Sequence, residues 1–492
     1  MTIDSIARKA LLDLAQFQAD PLADATVAAI IGPWDRSRDH GDRASMLAAH
    51  TAQWDRLATV SRLFGEWETN GGMKTWRATG PGVTPDMAAA LEHYVQSALA
   101  LPEWADAQKI ARAESMFMDY GALSVTLLFC SSLPECYVIP DLAAVLHITG
   151  QLEKHTDHRI RSTGAMVFPV MMKGGMTDPA GAGVAQVLKV RLIHATIRNL
   201  ILRGNPEDVI KAMGTRAAGL FAASDAGRIA AIPGGDRMTG MHQALYAHGW
   251  DTAVEGLPCN QEELAYTLLT FNYVFLRSMR KLALSLSRED EEAFMHAWNV
   301  AGHMLGIRRE LMADTFDEAG ALFAEIQARG RGDHSPNPAL DPDPRPALGN
   351  ALMNAMKTVI PMRIAKPFPV LMTRHLCERV TAQELGLNGP MSWLPRLLFT
   401  LLMLLTRLVD TVVRVFVPGF SLARFFTRLL GYQFMCKMFM DLTRPLKLPQ
   451  NVLMGMGSMM DQWAHDPKAP GWMNKLEARC SAKGAWMSRQ RT

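Results

Sequence analysis

Between residues 156 and 203 the apolar positions recur at helical spacing in two runs, separated by a glycine-rich stretch. The first run, Thr156 to Phe168, puts Arg159, Ile160, Thr163, Met166 and Val167 on one face, with Asp157, His158 and Arg161 pointing away. Thr156 reads as its N-cap, Asp157 suits the positive end of the helix dipole, and Pro169 reads as its stop. An arginine and a threonine on an apolar face call for buried partners. The second run spans about Val184 to Arg203 and ends at Gly204-Asn205-Pro206. Its apolar stripe is Val190, Ile193, Ile197, Leu200 and Ile201, with His194 at the edge and Arg191 and Arg198 one turn before and after.

Elsewhere the same period predicts helices through residues 1–110, with Trp34, Trp54, Trp67 and Trp76 as packing residues. The fifteen uncharged residues from Tyr120 to Pro134 are too few to cross a membrane and predict a buried core helix, followed by a short strand at Cys136–Ile139. Asn260-Gln-Glu-Glu263 is a capping box opening a long apolar helix to about Leu286, and Ser287 starts the next. On that helix Glu292, His296, Asn299 and His303 share a face, readable as a hydrogen-bonded seam or as metal ligands. Residues 329–350, rich in proline, predict a surface loop within one domain spanning 1–492. The stretch 393–430 is the most apolar. Arg396, Arg407, Asp410 and Arg414 fall on one narrow stripe there, which excludes a span and leaves core packing or interfacial membrane contact.

Charge and cysteines narrow the classes. A net charge of +3 without a basic, aromatic-studded stripe excludes a nucleic-acid argument. The positive charge is uneven: residues 366–447 hold eleven Lys/Arg against four Asp/Glu. Six scattered cysteines (130, 136, 259, 377, 436, 480) suit reduced, buried thiols, and the N-terminus shows no export signal, so the expected place is cytoplasmic, with peripheral contact at the membrane's inner face as the interfacial reading of 393–430. No Walker, His-Glu-x-x-His, complete Gly-x-Gly-x-x-Gly or Gly-x-Ser-x-Gly pattern occurs.

A neutral imidazole on a rigid helix is a good ligand for haem iron, and arginines one turn away can pair with propionates. The plainer reading is a core-edge histidine beside two solvated arginines. Arg159-x-x-x-Thr163, the glycine-rich turn and Arg191-Leu-Ile-His194-Ala-Thr-Ile-Arg198, with the blocks Pro258–Phe271 and His296–Gly306, resemble the latex clearing protein (rubber oxygenase) superfamily, which includes MpaB-type oxygenases. The resemblance covers roughly 110–390. It implies an all-α fold enclosing non-covalent haem b, with His194 as axial and metal ligand. It also implies Arg191 and Arg198 beside the cofactor, and Arg159 and Thr163 near O2 and substrate. Relatives use O2 to cleave carbon–carbon double bonds of isoprenoid chains. Some carry a lysine just before the threonine, where this chain has Ser162, and their catalytic acidic residue has no counterpart at matching spacing, Glu153 being the nearest. The expected activity is therefore a haem-dependent oxygenase on an apolar substrate, whose pocket the 32 methionines would suit. The alternatives are a haem carrier or sensor, and a haem-free helical lipid-binding protein at the membrane.

Overall fold

The helix Gly183–Leu202 runs through the middle of the fold and packs against the helices Pro21–Ile31, Thr156–Met171, Met241–Ala247 and Arg288–Met304. The structure is a computed structural model that describes residues 3–38, 43–148, 156–214, 227–233, 240–284, 286–332, 343–360 and 363–414. Those residues are mainly α-helical, as expected. The strands among them are a two-residue antiparallel pair, Arg228–Ile229 with Trp250–Asp251. One continuous apolar core extends from Leu12 to Leu387.

The central helix is fixed from several sides. Tyr94 donates its hydroxyl to the Leu188 carbonyl (2.9 Å), and the Trp34 indole donates to Asn199 Oδ1 (3.0 Å). Trp34 itself stands in a ring cluster with His50, Trp54 and Tyr246, while Trp67 packs between Phe64, Trp76 and Tyr94. All four tryptophans are packing residues. The helix ends at Arg203, which adopts the left-handed conformation (φ 52°) expected of a glycine there. Arg203 holds it because its guanidinium is tied to the carbonyls of Tyr246 and Ala230 (2.9 and 2.8 Å) and stacks 4.9 Å from the Tyr246 ring.

Several sequence expectations change. The first helix of the pair runs through Pro169 to Met171. A proline this near the C-terminus removes a single ladder bond, and Met172 still donates to Phe168 O (2.8 Å). The apolar stretch from Tyr120 is not one helix. Gly121 (φ 44°) breaks the chain, Ala122–Leu127 follows, and Leu128–Ser132 widens to a π-helix before Leu133–Cys136. Residues 137–139 form a turn and not a strand. Their amides are met locally, Tyr137 by Pro134 O and Val138 by Glu135 O. The helix after Asn260 breaks at Asn272 into Gln261–Phe271 and Tyr273–Lys281. The expected loop 329–350 is shorter at both ends. Arg329–Gly332 completes the helix Phe316–Gly332, where Arg329 pairs with Glu262 and Asp13. Arg345–Val359 is helical, with Pro346 in its first turn, where a missing N–H is harmless. Residues 333–342 lie outside the described residues.

Candidate functional site

The glycine-rich turn between the two paired helices is built by close backbone approach. A Cβ on Gly175 would collide with the Pro169 carbonyl, one on Gly181 with the Gly174 carbonyl, and one on Gly183 would lie 2.7 Å from Gly175 O. Asn70 pins this turn from outside. Its Nδ2 donates to the carbonyls of Gly175 and Asp178 (both 2.9 Å), and its Oδ1 accepts the first amides of the central helix, Val184 (3.0 Å) and Ala185 (3.3 Å). Those amides have no cap in their own segment, so a residue more than a hundred positions earlier supplies it. Beneath the turn Glu114 accepts the Gly174 amide (2.9 Å), and burial pushes its carboxyl up to about 7 against the pull of the surrounding amides.

Arg191 and Arg198 face the same way, seven residues apart, and both meet carboxylates. Arg191 forms a two-point pair with Asp20, its Nη2 lying 2.8 Å from Oδ1. Arg198, wholly buried, donates Nε to Asp24 Oδ1 (2.9 Å) and Nη1 to the carbonyls of Pro258 and Cys259. Asp20 caps the helix Pro21–Ile31, and its own amide donates to Asp24 Oδ2 (2.9 Å). Burial raises the Asp24 carboxyl above its usual range, opposed by the Arg198 guanidinium. The sequence offered haem propionates or solvent as partners of these arginines; in the structure they meet protein groups, and Arg198 is not solvated. Each neutralises a protein carboxylate and clamps the central helix to Pro21–Ile31. The carboxylates themselves were not singled out in the sequence. Their signal is Asp20 before Pro21 followed by Asp24 inside an otherwise apolar helix.

With the arginines turned inward, another flank of the central helix is less deeply buried. Val190, His194 and Ile197 are half-buried and Ile193 is 39% exposed. Thr163, on the neighbouring helix Thr156–Met171, is also half-buried, between the buried Met166 and Val167 and the helix start. Arg159 belongs to this helix, but its side chain lies outside the described residues, as do those of Ile160 and Ser162; Glu153 lies outside them altogether. The arrangement is an imidazole beside an apolar strip on a helix clamped along a neighbouring flank. A flat apolar macrocycle carrying an iron ion needs a nitrogen ligand and apolar contact, which His194 and this strip could supply.

The other polar face is a seam. His296 Nε2 accepts the Asp106 amide (2.8 Å), and His296 and His303 each meet the Trp104 ring edge-on at 5.7 Å. Asn299 donates to Ala313 O (2.8 Å), and Glu292 pairs with Arg288. Burial keeps both imidazoles below their ordinary pKa and so neutral. Among the described residues no group of three His, Cys, Asp or Glu side chains could hold a metal ion.

Residues 215–409 match the family model of the ER-bound oxygenase mpaB/B'/rubber oxygenase catalytic domain. That range contains the Pro258 and His296 blocks and begins after the His194 helix. The rubber oxygenase of Streptomyces sp. (strain K30) is 21% identical over 258 residues, 52% of this chain and 52% of that protein. The chain thus matches about half the length of this curated relative. The structure of latex clearing protein in the closed state superposes with a TM-score of 0.53 at 17% identity, covering 91% of this chain and 90% of that one, and shares its fold.

Proposed function

We propose that this chain, which belongs to the latex clearing protein/MpaB-type oxygenase superfamily, is a haem b-dependent oxygenase acting with O2 on an apolar, isoprenoid-like substrate. The observation behind the reading is His194, half-buried beside the apolar strip Val190–Ile193–Ile197 on the central helix. Non-covalent haem would be held by the His194 imidazole and by dispersion contact with that strip. When bound, it supplies a redox-active iron that can activate O2.

The chain's own residues do the rest. The Arg191–Asp20 and Arg198–Asp24 pairs hold the His194 helix at fixed depth and rotation, so the imidazole needs no reorganisation to meet iron. Thr163 lies on the neighbouring helix, with Arg159 one turn before it; both would border the O2 and substrate site. An apolar strip beside the imidazole would favour an alkene over a polar substrate. Oxidative cleavage of a carbon–carbon double bond would leave both atoms of O2 in two carbonyl products. Protein expressed with adequate haem supply should show a Soret band and consume O2 with a soluble isoprenoid alkene. A Soret band without turnover would make it a haem carrier; no band at all would remove the reading.

A further inference from the structure

The helix Trp393–Arg414 is the last described element, and among the described residues only one of its sides is packed. Phe399 and Thr406 are buried, and Phe399 meets Phe368 edge-on at 5.6 Å on the helix Phe368–Leu376. Away from that contact Leu394, Leu397, Leu401, Leu404, Leu408 and Val412 are 39–63% exposed. Their three- and four-residue steps align them into one ridge along most of the helix, which at about 1.5 Å per residue is about 33 Å long. A continuous apolar ridge of this length marks a contact surface rather than ordinary scattered exposure.

The flank between the ridge and the buried side is cationic. Arg396 and Arg407 lie on it, both exposed. Arg374 donates to the carbonyls of Leu387 (Nε) and Gly389 (Nη2, 2.7 Å) and feels the charge of Arg396. His375, whose pKa burial lowers, feels Lys281 and Arg407. Lys281 donates to Leu376 O (2.6 Å). Lys281, Arg374, Arg396 and Arg407 thus bring positive charge beside the ridge, and the sequence from 366 to 447 carries eleven Lys/Arg against four Asp/Glu. Among the described residues no single helix is long and apolar enough to cross a membrane. Arg407, in mid-helix, also argues against a span.

We propose that this helix lies in the plane of an anionic bilayer surface, its leucine ridge among the acyl chains and its arginine flank at the lipid phosphates. A second copy is a poorer occupant, because ridge-to-ridge pairing would bring two cationic flanks together. The proposal is independent of haem and of the reaction.

Flotation of the full chain with vesicles tests it, using phosphatidylcholine alone or mixed with phosphatidylserine at low and high salt. Wild type should float with the anionic vesicles, less so at high salt. Combining Arg396→Gln and Arg407→Gln should weaken binding to anionic vesicles about tenfold or more, each arginine near such a surface being worth roughly fivefold. Combining Leu401→Glu, Leu404→Glu and Leu408→Glu should abolish flotation with either vesicle while leaving the melting curve unchanged, since these side chains are half or more exposed. Trp393, 72% exposed, gives a reading on the unaltered fold: brominated lipid should quench fluorescence in wild type, and this component should vanish in Trp393→Phe. Wild type left unbound by anionic vesicles, or no Trp393-dependent quenching, would overturn the proposal. So would a lipid-free dimer that the leucine substitutions dissociate, since the ridge would then belong to a second copy.

Discussion

Arg198 Nε lies 2.9 Å from Asp24 Oδ1 with both side chains sealed from solvent, at the point where the central helix crosses Pro21–Ile31. Removing one member of such a pair strands a buried charge. Asp24→Ala should therefore cost about 3–5 kcal/mol in urea unfolding. Asp24→Leu combined with Arg198→Met, which removes both charges, should recover much of that loss. Equal losses in the single and double variants would show that packing, and not charge compensation, sets the contribution.

The glycine-rich turn gives a second test. Gly175→Ala places a methyl group against Pro169 O, a backbone atom that cannot step aside. The variant should lose about 1–3 kcal/mol or more and melt at lower temperature. Gly65→Ala, where a Cβ meets nothing within 4 Å, should behave as wild type. Similar melting of both variants would mean that the close approach at Gly175 is absent.

Glu114 makes stability depend on pH. Its carboxyl is raised from 4.5 to about 7 in the folded state by burial, so the folded protein favours the protonated form. A raised pKa contributes stability that is complete below about pH 4.5 and is lost as pH rises through about 7. Glu114→Gln keeps an acceptor for the Gly174 amide but cannot ionise. Between pH 5 and pH 8 the variant should therefore gain on wild type in melting temperature. Parallel curves would show that Glu114 titrates as an ordinary carboxylate.

What the sequence revealed was local. Asn260 does cap its helix, accepting the Glu263 amide at 2.9 Å, and the Glu263 carboxylate reaches back to the Asn260 amide, because both partners sit within one turn. The limits of the central helix fell within a residue for the same reason. The polarity of the Arg288–Met304 helix likewise resolved into the seam around Trp104. The missed features join distant segments. Asn70 caps Val184 and Ala185, and Asp24 pairs with Arg198, through contacts that no period along the chain encodes. The arginines' spacing showed that they share a face but not that carboxylates from another helix would meet them. For Trp393–Arg414 the pattern left core packing and interfacial contact both open, and the Phe368–Phe399 contact shows which side the fold covers.

Haem retention in His194→Ala shows whether His194 holds the cofactor. The clamps through Asp20 and Asp24 remain in that variant, so far-UV helicity should stay near wild type. Haem should be lost, or kept with a shifted Soret band, and added imidazole should partly restore the wild-type spectrum. His296→Gln and His303→Gln, which alter only the seam around Trp104, should retain haem. A wild-type Soret band at full occupancy in His194→Ala would contradict the account, and loss of haem in one of the seam variants alone would move the ligand there.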